Sequence, residues 1–317
     1  AGGGMSRRRL LHASVGSSIM GTGCNKATQA RVLHENDGAG PKVSRNVKSG
    51  EQQLAKCVTG SNIKACTWEV RAAARNLAGV KLLNNMAGRL RQPGLARRYR
   101  TCAIVGNAGH LAQKKYGEYI DNHDLVVRFN LQPAGDYWPY VGNKTTLRIV
   151  NHRRSLSACC RGTLPEARAG DKSVGVMVWF PAAQAEILGK CKQKFPQNPR
   201  LAMGRGLVRA EADLIRALRK DAQRLGVSGL GSWMQMTSGA HAILLFSSLC
   251  DQLSLYGMTT YLAANKGGAD QYAAILKGGN AGAVTRSRSG ARWHDWKGEK
   301  AAWKILHAAG RAAICSM

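Results

Sequence analysis

Acidic residues are scarce in this chain: 18 Asp and Glu stand against 47 Lys and Arg over 317 residues, a formal net charge of +29. So large an excess favours anionic partners: nucleic acid, phosphorylated ligands, acidic glycans or anionic lipid. Aromatic residues are also few, at 6%. That weakens a reading as a basic nucleic-acid-binding α/β protein, because single-strand binders interleave aromatic platforms with their basic side chains. No run of about 20 apolar residues occurs, so no membrane span is legible. The nine cysteines, at 24, 57, 66, 102, 159, 160, 191, 250 and 315, contain no Cys-x-x-Cys pair. This argues against a zinc-ribbon site and is compatible with a few structural disulfides in a secretory compartment. No Asp-x-Asp metal motif stands out. The chain opens on Ala rather than Met, at "AGGGMSRRRLL"; it reads as a fragment or processed form, so a missing leader says little about its compartment.

What is present suits one large domain, or one domain with a tail: 44% hydrophobic residues and 37 glycines. The first 100 residues carry 18 Lys and Arg against 4 Asp and Glu. Residues 1–50 are rich in Gly, Ser, Arg, Lys and Asn, lack a steady apolar period, and read as a basic, disordered stem or tail. Helical spacing follows from about Gln53 to Leu90. Next comes a strand–turn–helix unit: a short strand at Ala103 to Val105, a turn from Gly106 to Gly109, and a helix over about Leu111 to Ile120. "DLVVRFN" (124–130), "TTLRIVN" (145–151) and "VGVMVWF" (174–180) read as further strands, the last buried on both faces. "GRGLVRAEADLIRALRKDAQRLG" (204–226) is an amphipathic helix. "SGAHAILLFSSLCDQ" (238–252) is a second helix, followed at once by the strand-like "LSLYGM". Strands alternating with helices predict an α/β fold, a Rossmann-like α/β/α sandwich with a mainly parallel sheet.

The stretch "CAIVGNAGHL" (102–111) concentrates the chemistry. Gly106 and Gly109 permit a tight turn and close approach of a ligand to the backbone. A helix after them would point its N-terminus at an anion. Asn107 adds an amide able to bond a phosphate or ribose. A structural glycine turn would look the same, so this stretch alone is a weak signal.

The wider pattern is specific. "CAIVGNAGHL" leads into "GEYIDNHDLVVRFN" and "VGNKTT", and together they resemble the large motif of the eukaryotic sialyltransferase family, glycosyltransferase family 29. "TSGAHAILLFSSLCDQLSLYGM" (237–258) is similar to that family's small motif. His294-Asp-Trp-Lys-Gly-Glu299 is similar to its very small motif, His-x4-Glu. The resemblance covers roughly Gln53 to the C-terminus and is dense in these three blocks.

The resemblance implies a variant GT-A-type glycosyltransferase fold over residues 51–317. It also implies transfer of sialic acid, or a related sugar acid, from its cytidine monophosphate (CMP) conjugate to an acceptor glycan hydroxyl. The anomeric centre would invert, and neither metal nor other cofactor would be used. His294 matches the catalytic base. Asn107, Asn130, Thr237, Ser238 and Gly239 match donor-binding positions. Glu299, Gly106, Gly257 and Tyr272 are candidate supporting residues; an ordinary helix-start acid would explain Glu299 equally well, and a plain N-cap Ser238. The family's large-motif and small-motif cysteines pair, which here implies Cys102–Cys250; apart from the resemblance, Cys315 is a candidate partner for Cys57 or Cys66. Arg128, a motif residue, is expected in a structural ion pair. The family is resident in the Golgi on the lumenal side, anchored by one N-terminal span that this sequence does not show. The partners implied are a CMP-sugar and a glycoprotein or glycolipid glycan, with no nucleic acid.

Departures from the family pattern bear on the donor. Ala108 stands where serine is common, Met236 where proline is frequent, and Thr259 in place of a second glycine. The segment before His294 lacks a histidine that in some members contacts the leaving phosphate; Lys266 and Tyr272 are candidate substitutes. These changes keep open a catalytically altered relative that still binds a cytidine nucleotide. Asn143-Lys144-Thr145 is formally a glycosylation sequon inside the large motif.

Overall fold

The computed structural model describes residues 47–60, 63, 66–86, 90, 92, 94–96, 98–180, 184–258, 271–277 and 293–316. Cys24, Thr259, Lys266 and most of the expected tail lie outside the described residues. The first described helix already begins at Val47.

The sheet has seven strands: β1 (Tyr99–Val105), β2 (Leu125–Phe129), β3 (Leu147–Val150), β4 (Gly175–Val178), β5 (Arg200–Ala202), β6 (Cys250–Tyr256) and β7 (Ala313–Ile314). Their order is β5-β4-β3-β2-β1-β6-β7, and every neighbouring pair is parallel. The expected α/β class and parallel sheet are therefore present. From β1 the chain winds outward through β5, then returns to lay β6 on the other side of β1. That reversal makes the carboxyl ends of β1 and β6 a topological switch point, where open parallel sheets form a crevice for ligands.

The longer helices and one short helix used below are α1 (Val47–Thr59), α2 (Ala78–Met86), α3 (Gln184–Lys194), α4 (Arg205–Arg224), α5 (Ser238–Leu249), α6 (Tyr272–Leu276) and α7 (Trp296–Ala308). Strand alternation assigns the two faces. Cys102 and Ile104 of β1 point into a core with Leu54, Val80, Leu218, Leu244 and Ile305, so α1, α2, α4, α5 and α7 cover that face. Ala103 and Val105 point the other way, against Leu111, Ile120 and Tyr272. Val176 and Val178 of β4 pack on Ile187 and Cys191 of α3. Helix α4 is amphipathic, burying Leu207, Glu211, Leu214, Ile215 and Leu218 at helical spacing. Helix α5 is apolar nearly all round and is almost wholly buried, as such a helix must be.

Several elements differ from expectation for local reasons. The helix expected over 53–90 is broken, because Cys57 bonds Cys66 and Thr67 is extended at φ −77°, ψ 172°. That pairing also corrects the expectation for Cys315, since neither Cys57 nor Cys66 is available to it. The helix expected over 111–120 is a 3₁₀ turn, Gly109–Gln113, and a short helix, Gly117–Asp121, separated by extended Lys114. Gly117 allows a close approach there: a Cβ on it would stand 1.8 Å from the Trp138 carbonyl oxygen. Helix α5 stops at Leu249 and β6 starts at Cys250, three residues earlier than expected. The strands β5 and β7 and helix α3 were not foreseen; the two strands are three and two residues long.

The Cys102–Cys250 bond implied by the resemblance is present, joining β1 to β6 with Cα atoms 6.1 Å apart. Cys159 bonds Cys191, tying the segment after β3 to α3, and Cys160 is a free thiol. Among the described residues no helix is long and apolar enough to cross a membrane.

Candidate active site

The two glycine turns meet at the switch point. Gly106, at the end of β1, donates its N–H to the Tyr256 carbonyl at 2.7 Å, and Ala108 donates to the Gly257 carbonyl at 3.3 Å. Both glycines are obligatory for this approach. A Cβ on Gly106 would lie 2.3 Å from the Gly257 carbonyl oxygen. Gly257 has φ +64°, and its Cβ would lie 2.5 Å from Leu111 Cδ1 and 2.8 Å from the Gly106 oxygen. Asn107 is half-buried in the turn, its carbonyl held by the Tyr272 N–H at 3.0 Å.

Residues that sequence reasoning passed over complete this corner. His110 Nε2 lies 3.1 Å from Ser316 Oγ, and the same hydroxyl oxygen accepts the Gly257 N–H at 2.5 Å. Burial lowers the His110 pKa, partly offset by the bond to Ser316. Strand β7 delivers Ser316, with the Cys315 N–H on the Leu255 carbonyl. The histidine inside the turn is thus a clasp to the C-terminal segment. Met258 links the turns to α5: its sulfur would meet a Cβ on Gly106 at 3.1 Å and its Cε one on Gly239 at 3.4 Å.

Helix α5 starts at this junction. Thr237 is its N-cap, with Oγ1 accepting the Ala240 N–H at 3.0 Å. The next two residues are Ser238 and Gly239, so the helix N-terminus presents its N–H groups beside the glycine turns. Ser238 Oγ accepts the Trp179 Nε1–H at 2.8 Å.

The third motif pins the same segment from the opposite side. Met234 and Gln235 both donate N–H to the Trp293 carbonyl, at 3.2 and 3.1 Å. His294 Nδ1 lies 2.9 Å from the Gln235 carbonyl. A carbonyl only accepts, so Nδ1 carries the proton and Nε2 keeps its lone pair. Burial lowers the His294 pKa below the ordinary histidine value, so the ring is neutral at neutral pH. The ring is half-buried, with the Trp296 indole at 5.3 Å. Met234, Trp293 and Trp296 around it are 62%, 44% and 42% exposed.

Glu299 is more than a helix-start acid. From the first turn of α7 it accepts the Thr237 N–H at 2.9 Å and the Thr237 hydroxyl at 2.7 Å, so it braces the cap of α5. Burial pushes its carboxyl up from 4.5 to about 7, against the pull of those two bonds. Asp295, the N-cap of α7, accepts the Gly298 N–H at 3.0 Å and lies 2.7 Å from the Arg219 guanidinium.

The remaining candidates are scaffold or rim. Asn130, at φ 53°, is the one non-glycine with positive φ among the described residues; its Oδ1 accepts the Asn151 N–H at 3.1 Å. It stands at the carboxyl end of β2, on the same edge as the glycine turns. Tyr272 is 1% exposed and donates its hydroxyl to the Pro133 carbonyl, so it supports the Asn107 turn from behind and does not offer that hydroxyl to a phosphate. Arg128 corrects an expectation: among the described residues it is in no ion pair but donates to the carbonyls of Val141, Gly142 and Lys144 and to Thr145 Oγ1. Burial lowers it to about 10. The ion pair belongs to the adjacent strand, between Arg148 and Glu166. Thr145 of the sequon is thereby engaged in the fold, while Asn143 is exposed.

A shallow depression of about 460 Å³ lined by Asp124, Asn143, Lys144, Thr146 and Ser173 lies at the opposite, amino edge of the sheet. The candidate donor-site residues Asn107, Asn130, Thr237, Ser238 and Gly239 lie instead toward the carboxyl edge of the sheet.

The model of glycosyltransferase family 29 (sialyltransferase) matches residues 63–311. Sialyltransferase-like protein 2 of Oryza sativa subsp. indica is 29% identical over 204 residues, covering 59% of this chain and 50% of that protein. Beta-galactoside alpha-2,6-sialyltransferase 2 of Danio rerio is 24% identical over 270 residues, covering 78% and 48% respectively. The chain spans about half the length of these two relatives. Among solved structures, a mammalian sialyltransferase aligns at a TM-score of 0.47 and 19% identity, over 92% of this chain and 85% of that one.

Proposed function

The chain belongs to glycosyltransferase family 29, and from that premise we propose that it moves sialic acid, or a related sugar acid, from its CMP conjugate to a glycan hydroxyl. The observation that carries the mechanism is the bond from His294 Nδ1 to the Gln235 carbonyl. It fixes the tautomer whose Nε2 can take a proton, three residues in sequence from the start of α5.

In this reading the cytidine ester lies at the β1–β6 switch point. Asn107 and Asn130 bond the donor, and the glycine turn lets the nucleotide approach the backbone. The start of α5, with Ser238 and Gly239, meets the phosphate as negative charge develops on the leaving group. These groups supply the stabilisation, and no metal or cofactor is invoked. The acceptor alcohol lies at His294 Nε2, which removes its proton as the alcohol attacks the anomeric carbon from the face opposite CMP, so the configuration inverts. Trp293, Trp296 and Met234 offer an apolar rim to the acceptor sugar; an indole face is electron-rich and attracts its C–H groups. Three disulfides among the described residues suit an oxidising compartment, and we infer action in the Golgi lumen.

The test is incubation with a panel of CMP-sugars, including CMP-sialic acid and the CMP conjugate of the eight-carbon acid Kdo, scoring acceptor-dependent release of CMP. Release above the acceptor-free background with one of these donors is expected. A thermal-shift series should show stabilisation by CMP and little by the adenine analogue. No release with any donor, together with no preference for CMP, overturns the reading.

A further inference from the structure

Beneath the start of α5 runs a line of buried side chains that none of the three motifs includes as a set. Glu211, on α4, is 0% exposed, and its Oε2 lies 2.6 Å from Nδ1 of His241, which is 2% exposed on α5. Two helices are thus tied together by a polar contact inside the core. The His241 ring lies against the Trp179 indole, with centroids 4.6 Å apart and planes tilted by 32°. Trp179 follows β4 and donates its Nε1–H to Ser238 Oγ.

The direction of that last bond matters. An indole nitrogen only donates, so Ser238 Oγ is the acceptor. The hydroxyl keeps one proton of its own to donate. Ser238 is the first residue of α5, where no helical carbonyl lies four residues back to take that proton. With the Trp179 N–H seated on the oxygen, the O–H must point away from the indole. Trp179 in turn cannot swing, because the imidazole stacked on it is held by Glu211.

We propose that Glu211, His241 and Trp179 are positioning residues that fix the Ser238 hydroxyl as a hydrogen-bond donor to the phosphate of bound CMP. The proposal rests on the donor-site reading above. It concerns the orientation of one hydroxyl, and it predicts that an effect at Trp179 on phosphate binding is transmitted only through Ser238.

The experiment is a double-mutant cycle of Trp179→Phe and Ser238→Ala, reading affinity for CMP and for cytidine by calorimetry, with melting temperature recorded for each variant. Phenylalanine keeps an aromatic ring beside His241 and removes the N–H with the rest of the indole's second ring; a packing loss that bypasses Ser238 would appear as additivity in the cycle. Each single change is expected to weaken CMP binding by about 3- to 10-fold, the range of one hydrogen bond. The double variant should bind no more weakly than Ser238→Ala, and cytidine, which lacks the phosphate, should bind all four proteins alike. Additive losses, unchanged CMP affinity in Trp179→Phe, or equal losses for cytidine and CMP would each overturn the proposal and leave the donor site standing. Absence of CMP binding by the unaltered chain would overturn the donor site and the proposal together. Should Trp179→Phe fail to fold, Glu211→Ala and Glu211→Gln replace it. Glutamine keeps an acceptor for the His241 N–H and is expected to restore the CMP affinity that alanine loses; equal affinity in the two variants overturns the proposal.

Discussion

The two sides of the cleft are built by different means. On the proposed nucleotide side the shape is made by backbone: two glycine turns in contact, a strand ladder under them, and one disulfide from the middle of β1 to the start of β6. On the base side it is made by side chains of the C-terminal segment, with His294 on the Gln235 carbonyl and Glu299 on both polar groups of Thr237. The first kind of wall is fixed by sterics, with the half-buried His110 clasped to Ser316 behind it. The second can change with pH, since both carriers have shifted pKa values. In the proposed reaction the bond from the sugar to CMP breaks on the backbone-built side, where no proton moves, and the alcohol loses its proton on the side built from side chains.

The comparison can be broken from either side. The largest effect is expected for the backbone side. Replacing Cys102 and Cys250 by serine opens a link spanning 148 residues, and loop-closure entropy puts the loss of stability at about 5 kcal/mol at most. The Cys57–Cys66 link spans only 9 residues and the same relation gives about 2.5 kcal/mol. Chemical denaturation of the two double variants should rank them in that order; the reverse ranking would show that the pairing of β1 with β6 does not depend on its disulfide.

Next comes the base. His294→Ala is expected to lower turnover by about 10²- to 10⁴-fold while leaving CMP affinity largely intact. Because burial lowers the His294 pKa, the acid limb of the pH–rate profile should fall below pH 6.5. Undiminished turnover in the variant, or an acid limb above 6.5, would remove His294 from the role.

Glu299 is expected to tie stability to pH. Its carboxyl is raised from 4.5 to about 7 in the folded chain, so between those values the folded state holds a proton that the unfolded state has lost. The contribution of this group is full below about pH 4.5 and is lost as pH rises through about 7, on the order of 3 kcal/mol in all. Melting temperature against pH should therefore fall more steeply over that window in the unaltered chain than in Glu299→Gln. Parallel curves would show that Thr237 is braced without any titration.

The smallest changes separate two glycines. Gly257→Ala forces a Cβ into positive φ and against Gly106, a cost of about 1–3 kcal/mol from the backbone alone. Gly239→Ala meets Met258 Cε at 3.4 Å and Thr237 Oγ1 at 3.5 Å, both ordinary contacts, so its stability should be near neutral. A loss of CMP affinity in Gly239→Ala at unchanged melting temperature would mark that position as facing the ligand; no loss would confine the nucleotide to the glycine turns.

Much of this was legible in the sequence because it is local. The apolar runs before Gly106 and at 125–129, 147–150 and 175–178 are strands, and the long period at 205–224 is a helix, since burial on a sheet face or a helix stripe leaves a regular trace. The residues of the three motifs could be named because each motif is contiguous. Contacts between segments leave no such trace. Nothing in "HLAQ" shows that His110 bonds Ser316, nor does "VWF" reveal that Trp179 reaches Ser238. Arg128 was mistaken for an ion-pair partner because a sequence shows charges and not carbonyls. The short strands β5 and β7 are too brief to carry a period of two, and Gly117 interrupts a segment whose composition otherwise suits a helix.

The contact of Ser316 with Gly257 has a consequence for how the protein is made. Synthesis runs from the amino end, so β1 emerges first, its neighbour β6 some 150 residues later, and the hydroxyl that seats Gly257 later still. A nascent chain halted anywhere before that point would carry a nucleotide cradle with one wall missing. The proposed site is therefore completed only once the segment that carries Ser316 has been made and has docked on Gly257.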